Sequence, residues 1–194
     1  MTELTVLGVV GSLRKESYNR YALKAAQKLV PEGMQLDLVE LHGIPVFNQD
    51  EEMTPPATVV EFKRQILAAD AILFAVPEYN YSLPGGLKNA IDWASRPYGN
   101  SAWAGKPAAM MGVSAGAFGT VRAQHQLRQI LVCLDMSVVN QPEVMIGQAP
   151  QRFDAEGRLS DETTRKFIRK LLVALQHLTQ ASRHRGDCAY AHCA

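Results

Sequence analysis

Three stretches of this 194-residue sequence gather side chains able to act on a small anionic ligand. The first is Gly11-Ser12-Leu13-Arg14-Lys15-Glu16-Ser17-Tyr18-Asn19. Ser12, Ser17 and Asn19 supply neutral hydrogen-bond donors, and Arg14 supplies a planar cation whose fork matches phosphate oxygens. The second is Pro77-Glu78-Tyr79-Asn80-Tyr81-Ser82-Leu83-Pro84-Gly85-Gly86. Two tyrosines flanking an asparagine offer flat apolar faces with hydrogen-bonding edges, the surface that a planar heteroaromatic ring needs. The third, Ser114-Ala115-Gly116-Ala117-Phe118-Gly119-Thr120, is rich in glycine and small residues.

The first stretch is not one of the common nucleotide loops. It lacks G-x-x-x-x-G-K-[ST], so no lysine is placed for the terminal phosphates of a triphosphate. It also lacks G-x-G-x-x-G, so close approach of the backbone to a pyrophosphate is not provided for. A hydroxyl-rich turn in front of a helix suits one terminal monophosphate, because unpaired amides and the positive end of the helix dipole favour an anion there. The plainer alternative is a polar loop in which Ser17 merely caps the helix. For the second stretch it is a structural turn with tyrosines packed on their neighbours.

Each stretch follows an apolar run and precedes a helical pattern. Residues 4–10 read as a buried strand, and Tyr21, Ala22, Ala25 and Leu29 fall on one helical face. Residues 34–39 form a partly alternating strand, and residues 41–53 an irregular loop with Val46-Phe47 as a lid over the core or a subunit contact. Pro55 and Pro56 open a helix lined by Val59, Phe62, Ile66 and Ala69. Apolar strands at 71–76 and 108–113 deliver the second and third stretches. Helices follow at 87–94, with Pro84 in its first turn, and around Leu127, Ile130, Leu131 and Leu134. A short strand at 137–140 precedes a last helix capped by Ser160, with Phe167, Leu171, Leu175 and Leu178 on its buried side.

Five β-α alternations predict an α/β protein, a parallel sheet covered by helices on both faces. Ligands in such sheets bind beyond the carboxyl ends of the strands. All three stretches belong there, so they are expected to converge on one site.

The chain as a whole restricts the partners. Neither nucleic acid nor membrane is expected as a partner: twenty basic and 19 acidic residues leave a net charge of +1, which gives no broad electrostatic footprint for nucleic acid. No run approaches the length of a membrane span, and no basic-then-apolar leader opens the sequence. Three cysteines make no disulfide framework, which points to a reducing cytoplasm. Residues 1–181 are expected to form a single domain and 182–194 a disordered tail. The tail holds His and Cys in no trusted zinc spacing, so no metal is expected. Cys133, among apolar neighbours, is expected in the core.

Rival readings exist. Gly112-Val113-Ser114-Ala115-Gly116 matches G-x-S-x-G, which would make Ser114 an esterase nucleophile with Asp135 or Asp154 and His177. His177 falls inside the last helix, which counts against it. A non-enzymatic flavin electron carrier would be strongly acidic, and this chain is not. A phosphoacceptor domain needs paired acids after the first strand, where Gly11-Ser12 stands.

The motif residues also resemble a known family. Gly11-Ser12-Leu13-Arg14-x-x-Ser17-x-Asn19, Pro77-Glu78-Tyr79-Asn80-Tyr81-Ser82-x-Pro84-Gly85-x-Leu87-Lys88-Asn89-Ala90-Ile91-Asp92-Trp93 and Arg122-Ala123-Gln124-x-x-Leu127-Arg128 are similar to the NADPH-dependent FMN reductases, nearest to the bacterial quinone and chromate reductases. The similarity runs over residues 4–143. It implies a flavodoxin-like three-layer sandwich with a five-stranded sheet of order 2-1-3-4-5, bound FMN, NAD(P)H as electron donor, and homodimers or homotetramers. By position, Ser12, Arg14, Ser17 and Asn19 would hold the FMN phosphate. Pro77, Glu78, Tyr79, Asn80 and Tyr81 would line the isoalloxazine ring, partly through backbone groups, and Ser114 would reach the ring or ribityl edge. The flavin would carry hydride from NAD(P)H to quinones, with chromate and other metal oxyanions as further candidates. No protein acid or base is required. Arg122 and Glu143 are implied as subunit contacts. Where similar proteins often have adjacent glycines near the fourth helix, this chain has Gly119-Thr120.

Overall fold

The computed structural model describes residues 3–191, with side chains described from 3 to 183. Strands β1 (Leu4–Val10), β3 (Ala71–Ala75) and β4 (Pro107–Val113) are apolar along nearly their whole length, and β3 and β4 are buried throughout. Continuous apolar runs are what a parallel strand covered on both faces requires. β2 (Met34–Glu40) alternates instead, with Met34 and Leu36 inward and Gln35 and Asp37 outward, as befits an edge.

The strands are all parallel, in the order β2-β1-β3-β4 with β5 (Ser137–Val138) beside β4. Expectation and structure differ at this last position. A sixth strand, β6 (Val144–Ile146), also pairs with β4, further along it. The edge strand is thus interrupted over residues 139–143, where Pro142 has no N–H for a ladder.

Side-chain alternation divides the interior in two. Leu73, Ala75, Met111 and Val113 face a core shared with α1 (Tyr18–Gln27) and α5 (Glu162–Ala191). Ile72, Phe74, Ala108 and Met110 face a second core shared with α2 (Ala57–Ala68), α3 (Gly85–Ala94) and α4 (Val121–Cys133). Each fully buried leucine or phenylalanine contributes roughly 1.5–3 kcal/mol of transfer free energy. No helix among the described residues is long and apolar enough to cross a membrane.

The loop before α2 is a lid pinned at Pro45 and Phe47. Phe47 meets Trp93 edge-on at 5.0 Å, and Asn89 Nδ2 and Trp93 Nε1 both donate to Pro45 O at 2.8 Å. Val46 is left 86% exposed.

Three details depart from the sequence reading. Asp161, not Ser160, caps α5: its Oδ2 accepts from Thr164 N at 2.7 Å, while Ser160 Oγ donates to Arg152 O. Phe167 is 45% exposed, and Ile168 takes its place on the buried stripe with Leu171, Leu172 and Leu175. Cys133 is exposed at the end of α4, turned away from the core. Residues to Ala191 continue α5; the side chains of the tail lie outside the described residues.

Candidate functional site

In-register pairing brings the carbonyl ends of the strands to one level. Val10 stands opposite Glu40 and Ala75, Ala75 opposite Met111, and Val113 opposite Ile146. The three polar stretches leave from this edge.

The first turn begins at Gly11, whose N–H donates to Ala75 O at 3.0 Å. A β-carbon there would stand 2.5 Å from Ala75 O and 2.8 Å from Pro77 Cδ, so glycine is obligatory. Ser12 and Ser17 are buried and bracket four exposed residues. Ser12 Oγ accepts from Arg14 N at 3.2 Å, and Ser17 Oγ caps α1 by accepting from Asn19 N at 3.3 Å. The amides of Tyr18 and Arg20, in the first turn of α1, have no intrahelical acceptor. The Arg14 side chain is exposed, and among the described residues no carboxylate pairs with it.

Asn19 has a different task from the one its position suggested. Its Nδ2 donates to Val113 O and its Oδ1 accepts from Val113 N, both at 2.9 Å. Side-chain oxygen and nitrogen are thus both used in latching the start of α1 to the end of β4.

The second turn is a tight hairpin. Tyr79 N donates to Ser82 O at 3.0 Å and Ser82 N to Tyr79 O at 2.9 Å, leaving Asn80 and Tyr81 at the tip with φ of 51° and 66°. Left-handed backbone is tolerated by asparagine and disfavoured for a tyrosine. α4 holds the tip: Ser82 Oγ donates to Gln126 Oε1 at 2.6 Å, Gln126 Nε2 donates to Tyr81 O at 3.1 Å, and the Arg122 guanidinium lies 3.9 Å from the Tyr81 ring centre.

Glu78 makes the strongest link between the turns. Its side chain is 6% exposed and ion-paired to Arg122. It accepts from Arg122 N at 3.0 Å, Ala123 N at 3.2 Å and Arg122 Nε at 2.5 Å. Thr120, at the head of α4, makes no capping bond of its own. Glu78 therefore caps α4 from 44 residues away, and its carboxylate faces the helix.

In the third turn Ser114 N donates to Ile146 O at 3.0 Å, and Ser114 Oγ donates to Gly116 O at 3.3 Å. Gly119, with φ of 61°, lies against the Met145 backbone. Ala115 to Phe118 are exposed, Phe118 to 73%. Buried Gln124 Nε2 donates to Val144 O at 3.2 Å, tying α4 to the edge strand, and to Thr120 Oγ1 at the head of its own helix at 3.0 Å.

All three turns therefore adjoin one another. Leu13 lies against Gly86, within 3.7 Å of where a β-carbon would stand; Asn19 reaches Val113, and Glu78 reaches α4. The roles of Gln126 and of the Glu78 cap were not read from sequence. The only available signal was an acidic residue far from any helix start of its own.

The esterase arrangement is not assembled. Asp135 O accepts from Gly105 N just ahead of β4, at the amino end of the sheet. His177 neighbours Gln176, which bonds to Glu32 O beside the start of β2. Both stand a strand's length, roughly 20 Å, from Ser114, and Asp154 is engaged by Arg158. Among the described residues no cluster of three or more His, Cys, Asp or Glu could hold a metal.

Parallel strands in the order 2-1-3-4-5 with a sixth strand, helices on both faces and polar turns at the carboxyl edge define the flavodoxin-like class. Within that class the chain belongs to the NADPH-dependent FMN reductase family, which it matches over residues 4–151. An NAD(P)H-dependent FMN reductase of Pseudomonas aeruginosa is 56% identical over 176 residues, covering 90% of this chain and 94% of its own. A quinone reductase of Pseudomonas putida is 50% identical over 165 residues, covering 84% and 88%. Among solved structures, the flavoenzyme FerB, an NAD(P)H:(acceptor) oxidoreductase of Paracoccus denitrificans, is 38% identical with a TM-score of 0.84, over 92% of this chain and 98% of that one.

Proposed function

We propose that this chain is an FMN-dependent NAD(P)H oxidoreductase acting on quinones, with residues 1–181 as one FMN-binding domain and 182–194 as an appended tail. The observation that carries the reading is the convergence of the three turns, held by the Asn19–Val113 and Glu78–α4 bonds, in a member of this family.

The residues present fit FMN. A terminal monophosphate suits the first turn, where buried Ser12 and Ser17, orphan amides at the head of α1 and the exposed Arg14 surround one position. In this reading Asn19 keeps the cradle in shape. Pro77, Tyr79, Asn80 and Tyr81 flank the ring, with Glu78 contributing its backbone while its carboxylate holds α4. Ser114 and the small residues after it border the other edge. When bound, the flavin accepts and returns the hydride. The exposed rim of Tyr79, Tyr81 and Phe118 offers aromatic faces to the nicotinamide and to a planar acceptor in turn.

Quinone as acceptor rests on kinship; chromate and other metal oxyanions are candidates for the same exposed ring. We also infer a homodimer or homotetramer, to which Arg122 and Glu143 contribute contacts. We infer a reducing, cytoplasmic setting from three cysteines that make no disulfide framework.

An absorption spectrum of the purified protein, before and after adding NADPH without oxygen, tests the reading. Bands near ~450 nm that bleach on addition are expected. A colourless protein that also fails to take up added FMN would overturn it.

A further inference from the structure

Three pairs of like charges stand one helical turn apart on the α1/α5 side of the sheet. They are Lys24 with Lys28, Arg165 with Arg169, and Lys166 with Lys170. At this spacing like charges repel. Elsewhere the same chain sets opposite charges three or four residues apart: Glu61 with Arg64, Lys88 with Asp92, and Asp154 with Arg158. No acidic residue occurs from 163 to 183. Most acidic groups bordering this face are engaged, Glu162 by Arg165 at 3.2 Å, Asp154 and Glu156 by Arg158 and Asp161 by Arg152, while exposed Glu143 stands on the far side of Phe167. Among the described residues, Lys24, Lys28, Lys166, Arg169 and Lys170 have no carboxylate partner.

The two helices meet at one depression. Tyr21, Lys24 and Lys28 from α1 and Arg165 from α5 line a depression of ≈ 410 Å³. Beside it Lys166, Phe167, Arg169, Lys170 and Val173 line another of ≈ 450 Å³. Phe167 is 45% exposed at its border, with Lys170 Nζ 5.8 Å from its ring. Apolar side chains bordered by unpaired cations on one helix match an anionic interface.

We propose that the α1/α5 face docks on an anionic lipid bilayer. The cations meet headgroup phosphates while Phe167 and Val173 enter the interface. A nucleic acid would satisfy the cations but leave the apolar depression unfilled. Because α5 follows β6, its basic first half lies toward the carboxyl edge of the sheet, the edge from which the three turns leave. The near-neutral total charge conceals this face, since Asp50, Glu51 and Glu52 offset it from the loop packed over α3. The inference does not depend on the function proposed above.

Co-sedimentation of the full-length protein tests it, with vesicles of phosphatidylglycerol and phosphatidylcholine against vesicles of phosphatidylcholine alone. Pelleting is expected with the mixed vesicles only, diminishing as salt is raised. Each cation near the surface is worth about fivefold in binding, so Lys166→Glu with Lys170→Glu should lower the partition coefficient by at least roughly 25-fold. Lys24→Glu with Lys28→Glu, on the other helix, should act in the same direction. Failure of the native protein to pellet with anionic vesicles at low salt overturns the proposal. So does undiminished binding in both double variants, or tighter binding to duplex DNA than to the vesicles.

Discussion

Two arginines border the three turns, and their surroundings divide their work. Arg122 pairs with the Glu78 carboxylate and lies over the Tyr81 ring, so its charge is balanced within the fold while part of its side chain stays exposed. Arg14 is exposed without a carboxylate, which leaves its fork for an external phosphate. Arg14→Ala is therefore expected to weaken FMN binding by about 1.5–3 kcal/mol, the range for a charge-assisted bond. Titration of FMN fluorescence with apoprotein measures this, and an unchanged dissociation constant would remove Arg14 from the phosphate site. The convergence of the three turns was legible because in a parallel sheet every strand-to-helix turn leaves from the carboxyl edge. The jobs of Asn19 and Glu78 were not, because their partners lie 94 and 44 residues away and no local pattern announces them.

At the scale of elements, β1, β3 and β4 were readable from their unbroken apolar runs, whereas β6 was not. Three residues following a proline carry too little periodicity to stand out from a loop. The last helix shows a second limit. Phe167 and Ile168 both keep helical spacing to the leucines after them, and only packing against the sheet decides that Ile168 turns inward. Ser160 and Asp161 are both good caps, and geometry selects Asp161. The Thr164 hydroxyl and amide hold the Asp161 carboxyl below its ordinary range, with Arg152 assisting. A carboxyl whose pKa is lower folded than unfolded stabilises the protein above its unfolded pKa, and that stabilisation is lost as pH falls through the folded value. Asp161→Ala should thus cost about 1 kcal/mol near neutral pH. The gap between variant and native protein should close as the buffer is taken below the usual carboxylate range. Urea unfolding at the two conditions measures both quantities, and a gap independent of pH would show that the carboxylate charge is not what matters.

The whole molecule is two cores on either face of one sheet, joined near the site by side chains that cross between elements. The turns that would hold FMN belong to β1–α1, β3–α3 and β4–α4, so a ligand touching all three ties both layers to the sheet. Binding to the native state alone stabilises it by about 2.7 kcal/mol at a hundredfold excess over the dissociation constant. For a chain of this size that corresponds to a rise in melting temperature of roughly 5–10 °C. Thermal unfolding of apoprotein with and without FMN measures it, and no rise would mean that FMN does not bridge the turns. This architecture was the most legible level of all, since alternation of element types constrains topology strongly. Charge distribution was the least legible. A sum near zero describes equally a mixed surface and one divided between a basic face and an acidic loop.

The hairpin tip at Asn80-Tyr81 has a consequence for how this protein tolerates change. Glycine at 81 would relieve a left-handed backbone strain of order 1–3 kcal/mol, while removing the ring on which Arg122 lies. Selection for thermostability alone would drift toward that glycine, while under the role proposed for Tyr81 beside the flavin selection for turnover would keep the tyrosine. Stability and activity therefore pull this one position in opposite directions. A library screened only for heat resistance would be enriched in folded, slow variants altered at the tip.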